Sequence, residues 1–292
     1  MLSATTVMMW MLIVTWPCGT ILNSSIIAVY LSDWKKGVKL GECDQISLSM
    51  GCNNLLFQCF LTFGWAFISY GQHLSFAFKV NYVVGTLIWF SVYLSFWLTA
   101  CLSLCYCLRL VNFSHKFFIL LKRRLSRTVT PHLLCSVAIS FIIAPPTIWI
   151  FYREANQNIT LIYNMSNAGL NSIIPAVTVG TCLPSLITSI CILLSVISLL
   201  KHIWRMKQNA QFGNPQLKNL IRACRSMILL MTLNFIFFLI NFSLTTPPNN
   251  METIWFMVLF LGELLNPSGQ AIVLIFGNSK LLSAWTKNLS RQ

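Results

Sequence analysis

An all-α bundle of seven membrane-spanning helices, N-terminus outside and C-terminus in the cytoplasm, is the fold class this chain predicts, and three observations predict it. Seven apolar runs approach or exceed the ~20 residues that cross a ~30 Å hydrocarbon core. Of 292 residues, 56% are hydrophobic and 9% charged, and no polar stretch is long enough to build a second domain. Of the 20 Lys and Arg residues, only Lys79 and Arg153 fall outside the four segments on one side of the runs. By the positive-inside rule that basic side is cytoplasmic. The net charge of +14 is thus a topology signal, reinforced by anionic membrane lipid, and not a nucleic-acid footprint.

The chain, 1–292, is read as a single domain with spans at 6–31, 45–69, 82–110, 132–152, 174–200, 226–245 and 252–276. Span one lacks the charged start and small-residue exit of a cleaved signal, and is read as its own signal anchor. It carries Asn23 and is closed by Lys35, Lys36 and Lys39. Span two carries Asn53 and Asn54. Span three bears two stripes at helical spacing: Trp89, Tyr93 and Trp97, and, on roughly the opposite face, Ser91, Ser95, Thr99 and Ser103. Small hydroxyl residues permit close helix contact, while the aromatics either line an apolar cavity or simply fill space between helices.

Beyond Arg109, residues 112–127 mix aromatic, aliphatic and basic side chains, including Lys122 and Arg123, and read as a short amphipathic helix. Such a helix either rests among lipid headgroups or, with the basic ends of spans five and six, builds a cleft for a cytosolic protein. Pro145 and Pro146 in span four, Pro184 in span five and Pro267 in span seven each free backbone carbonyls and permit bends. The loop before span five holds two glycosylation sequons, Asn158-Ile159-Thr160 and Asn164-Met165-Ser166, which suit an outer loop.

Interior polar groups are the functional candidates, because polarity inside a membrane is costly. Glu263 is the only acid well inside a span; it either ties span seven to a neighbour or meets a ligand. The amides Asn23, Asn53, Asn54, Asn234, Asn266 and Gln270 offer interhelical hydrogen bonds, either as static glue or as a switch with two arrangements. The 11 cysteines form no scaffold, and most read as small buried packing groups. The four histidines lack metal-ligand spacing, and there is no glycine-rich phosphate loop, nucleophile elbow or paired intramembrane carboxylate. The chain is therefore read as a non-enzyme with no cofactor and no metal site.

Several blocks resemble the vertebrate bitter taste receptors, the taste receptor type 2 family of G protein-coupled receptors. Gly19-Thr20-Ile21-Leu22-Asn23, then Asp33-Trp34 and Lys39-Leu40, are similar to that family's first helix and loop. The run from Trp97 through Cys105-Tyr106-Cys107-Leu108-Arg109 to Asn112-Phe113-Ser114 is its strongest block. Leu193-Leu194-Ser195 to Lys201-His202, and Pro267-Ser268-Gly269-Gln270 to Gly277-Asn278-Ser279-Lys280-Leu281, complete a collinear match. In the family an arginine usually stands at Asn54 and a histidine-serine pair at Gln270-Ala271, so its polar switch is altered here.

The resemblance implies a plasma-membrane receptor for small, mostly apolar bitter compounds, bound in an outward-facing cavity. It implies activation of gustducin or another inhibitory-class heterotrimeric G protein. On that basis Trp89, Tyr93, Phe260 and Glu263 are expected to contact ligand, and Asn23, Asn54 and Gln270 to form the switch network. Tyr106, Arg109, Lys122, Arg123, His202 and Arg222 are expected on the coupling surface, and Asn158 and Asn164 to carry glycans. A pheromone receptor of the vomeronasal type 1 group, or a small multi-span transporter, is the alternative reading.

Overall fold

The computed structural model describes residues 4–70, 77–110, 129–157, 173–208, 215–245 and 253–289. The elements are α1 (Ala4–Lys35), α2 (Glu42–Tyr70), α3 (Ala77–Leu110), α4 (Val129–Gln157), α5 (Leu183–Gln208), α6 (Pro215–Thr245), α7 (Thr253–Gly277) and α8 (Ser279–Leu289). A π-helical segment, Thr178–Cys182, leads into α5. Among the described residues, seven helices are long and apolar enough to cross a membrane. At 1.5 Å per residue, even the 25-residue α7 exceeds the hydrocarbon thickness.

α3 is the axial element, packed against α2, α4, α5 and α6, while α7 packs against α6 and α1. In its most apolar window 61% of α3 is buried, against 28% for α1, α4 and α5, which form the perimeter. The outer surface is apolar: Trp10, Phe141, Leu186, Phe235 and Trp255 are all more than half exposed. Water would oppose such a surface and lipid would not.

Many hydroxyls within the spans find partners on their own helices, although the buried Thr99, Ser103 and Ser268 make no hydrogen bond. Thr62, Thr86, Ser91, Ser140, Thr188 and Ser195 each donate to the carbonyl four residues earlier. This satisfies them locally and leaves a small, nearly apolar face toward the neighbour.

The prolines act differently from one another. Pro184 has no N–H to offer the Gly180 carbonyl, and just before it the ladder slips so that the Leu183 N–H reaches Thr178 O. The bend expected at Pro184 is thus a π turn. In α4 the Pro145 carbonyl accepts from Tyr82 Oη at 3.4 Å, so the diproline is fastened to α3. In α7 the Pro267 carbonyl accepts from α1, as described below.

The cysteines depart from the expectation of burial. Cys43, Cys105, Cys107, Cys191 and Cys224 are buried, but Cys52, Cys59, Cys135 and Cys182 lie exposed on the lipid-facing surface. A thiol is small and apolar enough to be tolerated on either side of a membrane helix, so position in a span does not decide its facing. All 11 are free thiols.

The basic tail is a helix rather than an extended end. Asn278 Oδ1 accepts the Lys280 N–H at 2.9 Å, capping α8, and Leu281 and Trp285 pack onto the core formed by α1, α2, α3 and α7.

Candidate functional site

The half of the bundle away from the basic ends is filled by an aromatic cluster. Trp65 meets Phe260 edge-on at 4.6 Å between ring centroids and Phe256 at 6.2 Å; Phe57 meets Phe237 at 5.7 Å. Met8, Leu12, Leu61, Val92, Phe96 and Leu264 complete it, with Trp89 packed against its edge. Of the four residues expected to contact ligand, Phe260 is thus wholly enclosed in this cluster and Trp89 is half-buried beside it.

Tyr93 points elsewhere. Its ring lies 5.5 Å from Trp89, and its hydroxyl is 3.1 Å from Thr147 Oγ1 in α4. Thr147 spends its one proton on the Ile143 carbonyl at 2.8 Å, so Tyr93 is the donor. The ring is seated over Gly180 in the π turn, where a Cβ would fall 2.4 Å from Tyr93 Cδ1. Tyr93 therefore closes the α3–α4–α5 junction, and Trp89 is the ring common to it and the Phe260 cluster.

Glu263, 7% exposed, lies in α7 one turn from Phe260 toward the basic end, and none of the described ion pairs involves it. An isolated carboxylate here would be costly, so the site favours either a neutral carboxyl or a cation brought alongside it.

The three residues expected to form one switch network occupy two separate nodes. In the first, Asn54 Nδ2 donates to Asn23 Oδ1 at 3.1 Å, and Asn23 Nδ2 donates to the carbonyls of Gly19 at 2.9 Å and Pro267 at 3.2 Å. This joins α1, α2 and α7. In the second, Gln270 Nε2 donates to Ser95 Oγ at 2.9 Å and to Asn234 Oδ1 at 3.1 Å, while Ser95 Oγ lies 3.3 Å from Gln270 Oε1. This joins α3, α6 and α7. Both nodes bind α7 within one turn, at Pro267 and Gln270, just below Glu263.

At the basic end, Arg109 and Glu42 form an ion pair of 2.9 Å between α3 and α2. Tyr106 lies between the core beneath α1–α2 and a cluster of Leu199, Cys224 and Met227 from α5 and α6. Arg222 is half-exposed on α6. His202 belongs to α5, but its side chain is outside the described residues, as are Lys122, Arg123, Asn158 and Asn164 altogether.

A clasp that sequence reasoning missed holds α8 to this end. Lys280 Nζ lies 2.6 Å from Asp33 Oδ2 and 3.4 Å from Asp44 Oδ2, and 5.3 Å from the Tyr30 ring centroid. Asn278 Nδ2 donates to Tyr30 Oη at 3.0 Å and Asp44 Oδ1 at 3.3 Å. Partial burial lowers the Lys280 pKa, but the bond to Asp33 and the charges of Asp44 and Asp33 outweigh it and hold the ammonium above an ordinary lysine. The available signal was Asn278 ahead of Leu281, Leu282 and Trp285 at helical spacing, an N-cap before a short amphipathic helix.

Comparison with known proteins agrees with this architecture. Taste receptor type 2 member 9 of Macaca mulatta is 28% identical over 278 residues, covering 91% of this chain and 88% of that one. Taste receptor type 2 member 40 of Gallus gallus is 28% identical over 275 residues, covering 90% and 87%. Squid rhodopsin superposes with a TM-score of 0.67 at 12% identity, over 98% of this chain and 86% of its own, which shows a shared fold. The family model described as taste receptor protein (TAS2R) matches residues 1–292. With seven membrane-crossing helices in a rhodopsin-like bundle and a family match over its whole length, the chain belongs to the taste receptor type 2 family of G protein-coupled bitter taste receptors of the plasma membrane.

Proposed function

We propose that the receptor takes small, mostly apolar bitter compounds in its outer half, between the aromatic cluster and the α3–α4–α5 junction, with Trp89, Tyr93, Phe260 and Glu263 as contact residues. The supporting observation is the position of Trp89, half-buried and touching both the ring that closes the α3–α4–α5 junction and the cluster enclosing Phe260. A ligand that displaces Trp89 perturbs both, and Glu263 stands one turn below Phe260 to receive a protonated amine where the compound carries one.

From there the path to the basic end is short. Asn23, Asn54 and Gln270 hold α7 in its present position through two hydrogen-bonded nodes, so a ligand that favours a second arrangement of these amides shifts the population toward it. The basic end, which faces the cytoplasm by the positive-inside rule, then opens to a heterotrimeric G protein of the gustducin-like or other inhibitory class. Tyr106, Arg109, Lys122, Arg123, His202 and Arg222 supply that surface. Asn158 and Asn164 carry glycans on the opposite side.

The test is calcium release in cells expressing the chain with a gustducin-chimaeric G protein, challenged with a panel of bitter compounds beside mock-transfected cells. Dose-dependent release that requires the receptor supports the reading. Silence across the panel with confirmed surface expression counts against the ligand class.

A further inference from the structure

α1 ends at Lys35, and the chain turns through Gly37, at φ 76°, before α2 begins at Glu42. Only a residue without a Cβ adopts that backbone angle freely. The turn is ordered by backbone bonds: Lys36 N–H to Ser32 O at 3.1 Å, and Gly37 N–H to Trp34 O and Val38 N–H to Asp33 O at 3.0 Å. It presents Lys35, Lys36 and Lys39, all exposed, beside Trp34 at 68% exposure.

The acids available at this end are already engaged. Asp33 and Asp44 lie against Lys280, and Glu42 against Arg109. No described ion pair reaches Lys35, Lys36 or Lys39, so the turn carries three uncompensated positive charges on an ordered backbone.

The direction in which this patch faces decides its partner. On α1 the exposed positions Ile21, Ser24, Ala28 and Leu31 recur every three or four residues as a stripe on the outside of the bundle. That stripe runs without a break into Trp34 and Lys35, so the indole and the first lysine stand at the edge of the hydrocarbon on the lipid side. Tryptophan favours that depth, and lysine reaches from it to the headgroups.

We infer that the α1–α2 turn is a binding site for the phosphate headgroup of an anionic phospholipid, held by Lys35, Lys36 and Lys39 with Trp34 against the upper acyl chains. The inference does not depend on the identity of the bitter ligand. Each lysine contributes about fivefold in affinity at a membrane surface, so the three together account for on the order of a hundredfold.

The experiment uses the full-length receptor in phosphatidylcholine nanodiscs doped with a phosphatidylinositol bisphosphate, with lipid retained per receptor measured by mass spectrometry after detergent extraction. Wild type retains the phosphoinositide above its bulk fraction. K35Q/K36Q/K39Q loses at least tenfold of that retention, K35R/K36R/K39R keeps it, and W34A loses a smaller share. K201Q/R225Q/K287Q, which removes equal charge from exposed positions elsewhere at the basic end, behaves as wild type. Equal retention by wild type and K35Q/K36Q/K39Q overturns the site, as does an equal loss from K201Q/R225Q/K287Q, which would reduce it to total charge. It is also overturned if K35Q/K36Q/K39Q keeps the lipid but loses G-protein nucleotide exchange in pure phosphatidylcholine, which would make the turn a protein contact.

Discussion

Asn54 donates its side-chain N–H to Asn23 Oδ1 at 3.1 Å, and both amides are at least 97% buried. Through Asn23 the bond extends to the Pro267 carbonyl, at the place where α7 lacks a backbone N–H and bends most easily. Asn54→Leu leaves Asn23 Oδ1 without its donor in a site closed to water, at a cost of about 1 kcal/mol in a membrane bundle. The expected result is a fall of a few degrees in the thermal midpoint of the detergent-solubilised receptor, with altered ligand-free signalling in cells. Asn23→Leu, which also removes the donor to Pro267, gives the larger change of the two.

Gln270 and Ser95 form the second node, and Asn234 shares the Gln270 amide. Because the three act as one network, the losses from Gln270→Leu and Ser95→Ala are less than additive. A double-mutant cycle on thermal midpoints reads this as a coupling of roughly 0.5–1 kcal/mol. Strict additivity would mean that the Ser95–Gln270 bonds contribute nothing to stability.

Gly180 is required by the Tyr93 ring. An added Cβ falls 2.4 and 2.5 Å from Tyr93 Cδ1 and Cε1, while the Tyr93 hydroxyl is anchored on Thr147. Gly180→Ala destabilises by about 1–3 kcal/mol through overpacking and lowers surface expression. Adding Tyr93→Leu to Gly180→Ala recovers part of the loss, measured by cell-surface labelling.

The Lys280 clasp gives a pH expectation with a definite sign. A lysine whose pKa is raised by folding contributes its full stabilisation below the unfolded value near 10.4 and loses it as pH rises through the folded value. The clasp is therefore constant between neutrality and mildly alkaline pH, and weakens only above the ordinary lysine range. Lys280→Met removes this dependence, and lowers the midpoint modestly because the side chain is 36% exposed. A melting series across pH for both proteins checks it.

The seven spans were legible because each is a long apolar run, and their number followed from length alone. Their ends were not: α2 begins at Glu42 and α1 continues to Lys35, because charged residues pair or reach water while still helical. The period of Trp89, Tyr93 and Trp97 told which residues share a face of α3, but the partner of Tyr93 on that face lies 54 residues away in α4. Thr147 and Gly180 carry no local mark of meeting Tyr93. Likewise the buried amides could be named from sequence, but a period along one helix does not say which amide meets which across helices. Asn54 bonds Asn23, whereas Gln270 turns to Ser95 and Asn234. The π turn had its cue in Pro184, which announces a break in the ladder without saying what form the break takes.

The most direct measurement of the central claim is the agonist dose–response of Trp89→Ala and Phe260→Ala beside wild type, at matched surface expression, with G-protein activation as readout. The placement of Trp89 between Tyr93 and the Phe260 cluster predicts at least a tenfold rightward shift for Trp89→Ala, corresponding to about 1.4 kcal/mol of lost ligand contact, with ligand-free signalling retained. Superimposable curves for wild type and both variants would contradict it and place ligand recognition elsewhere in the bundle.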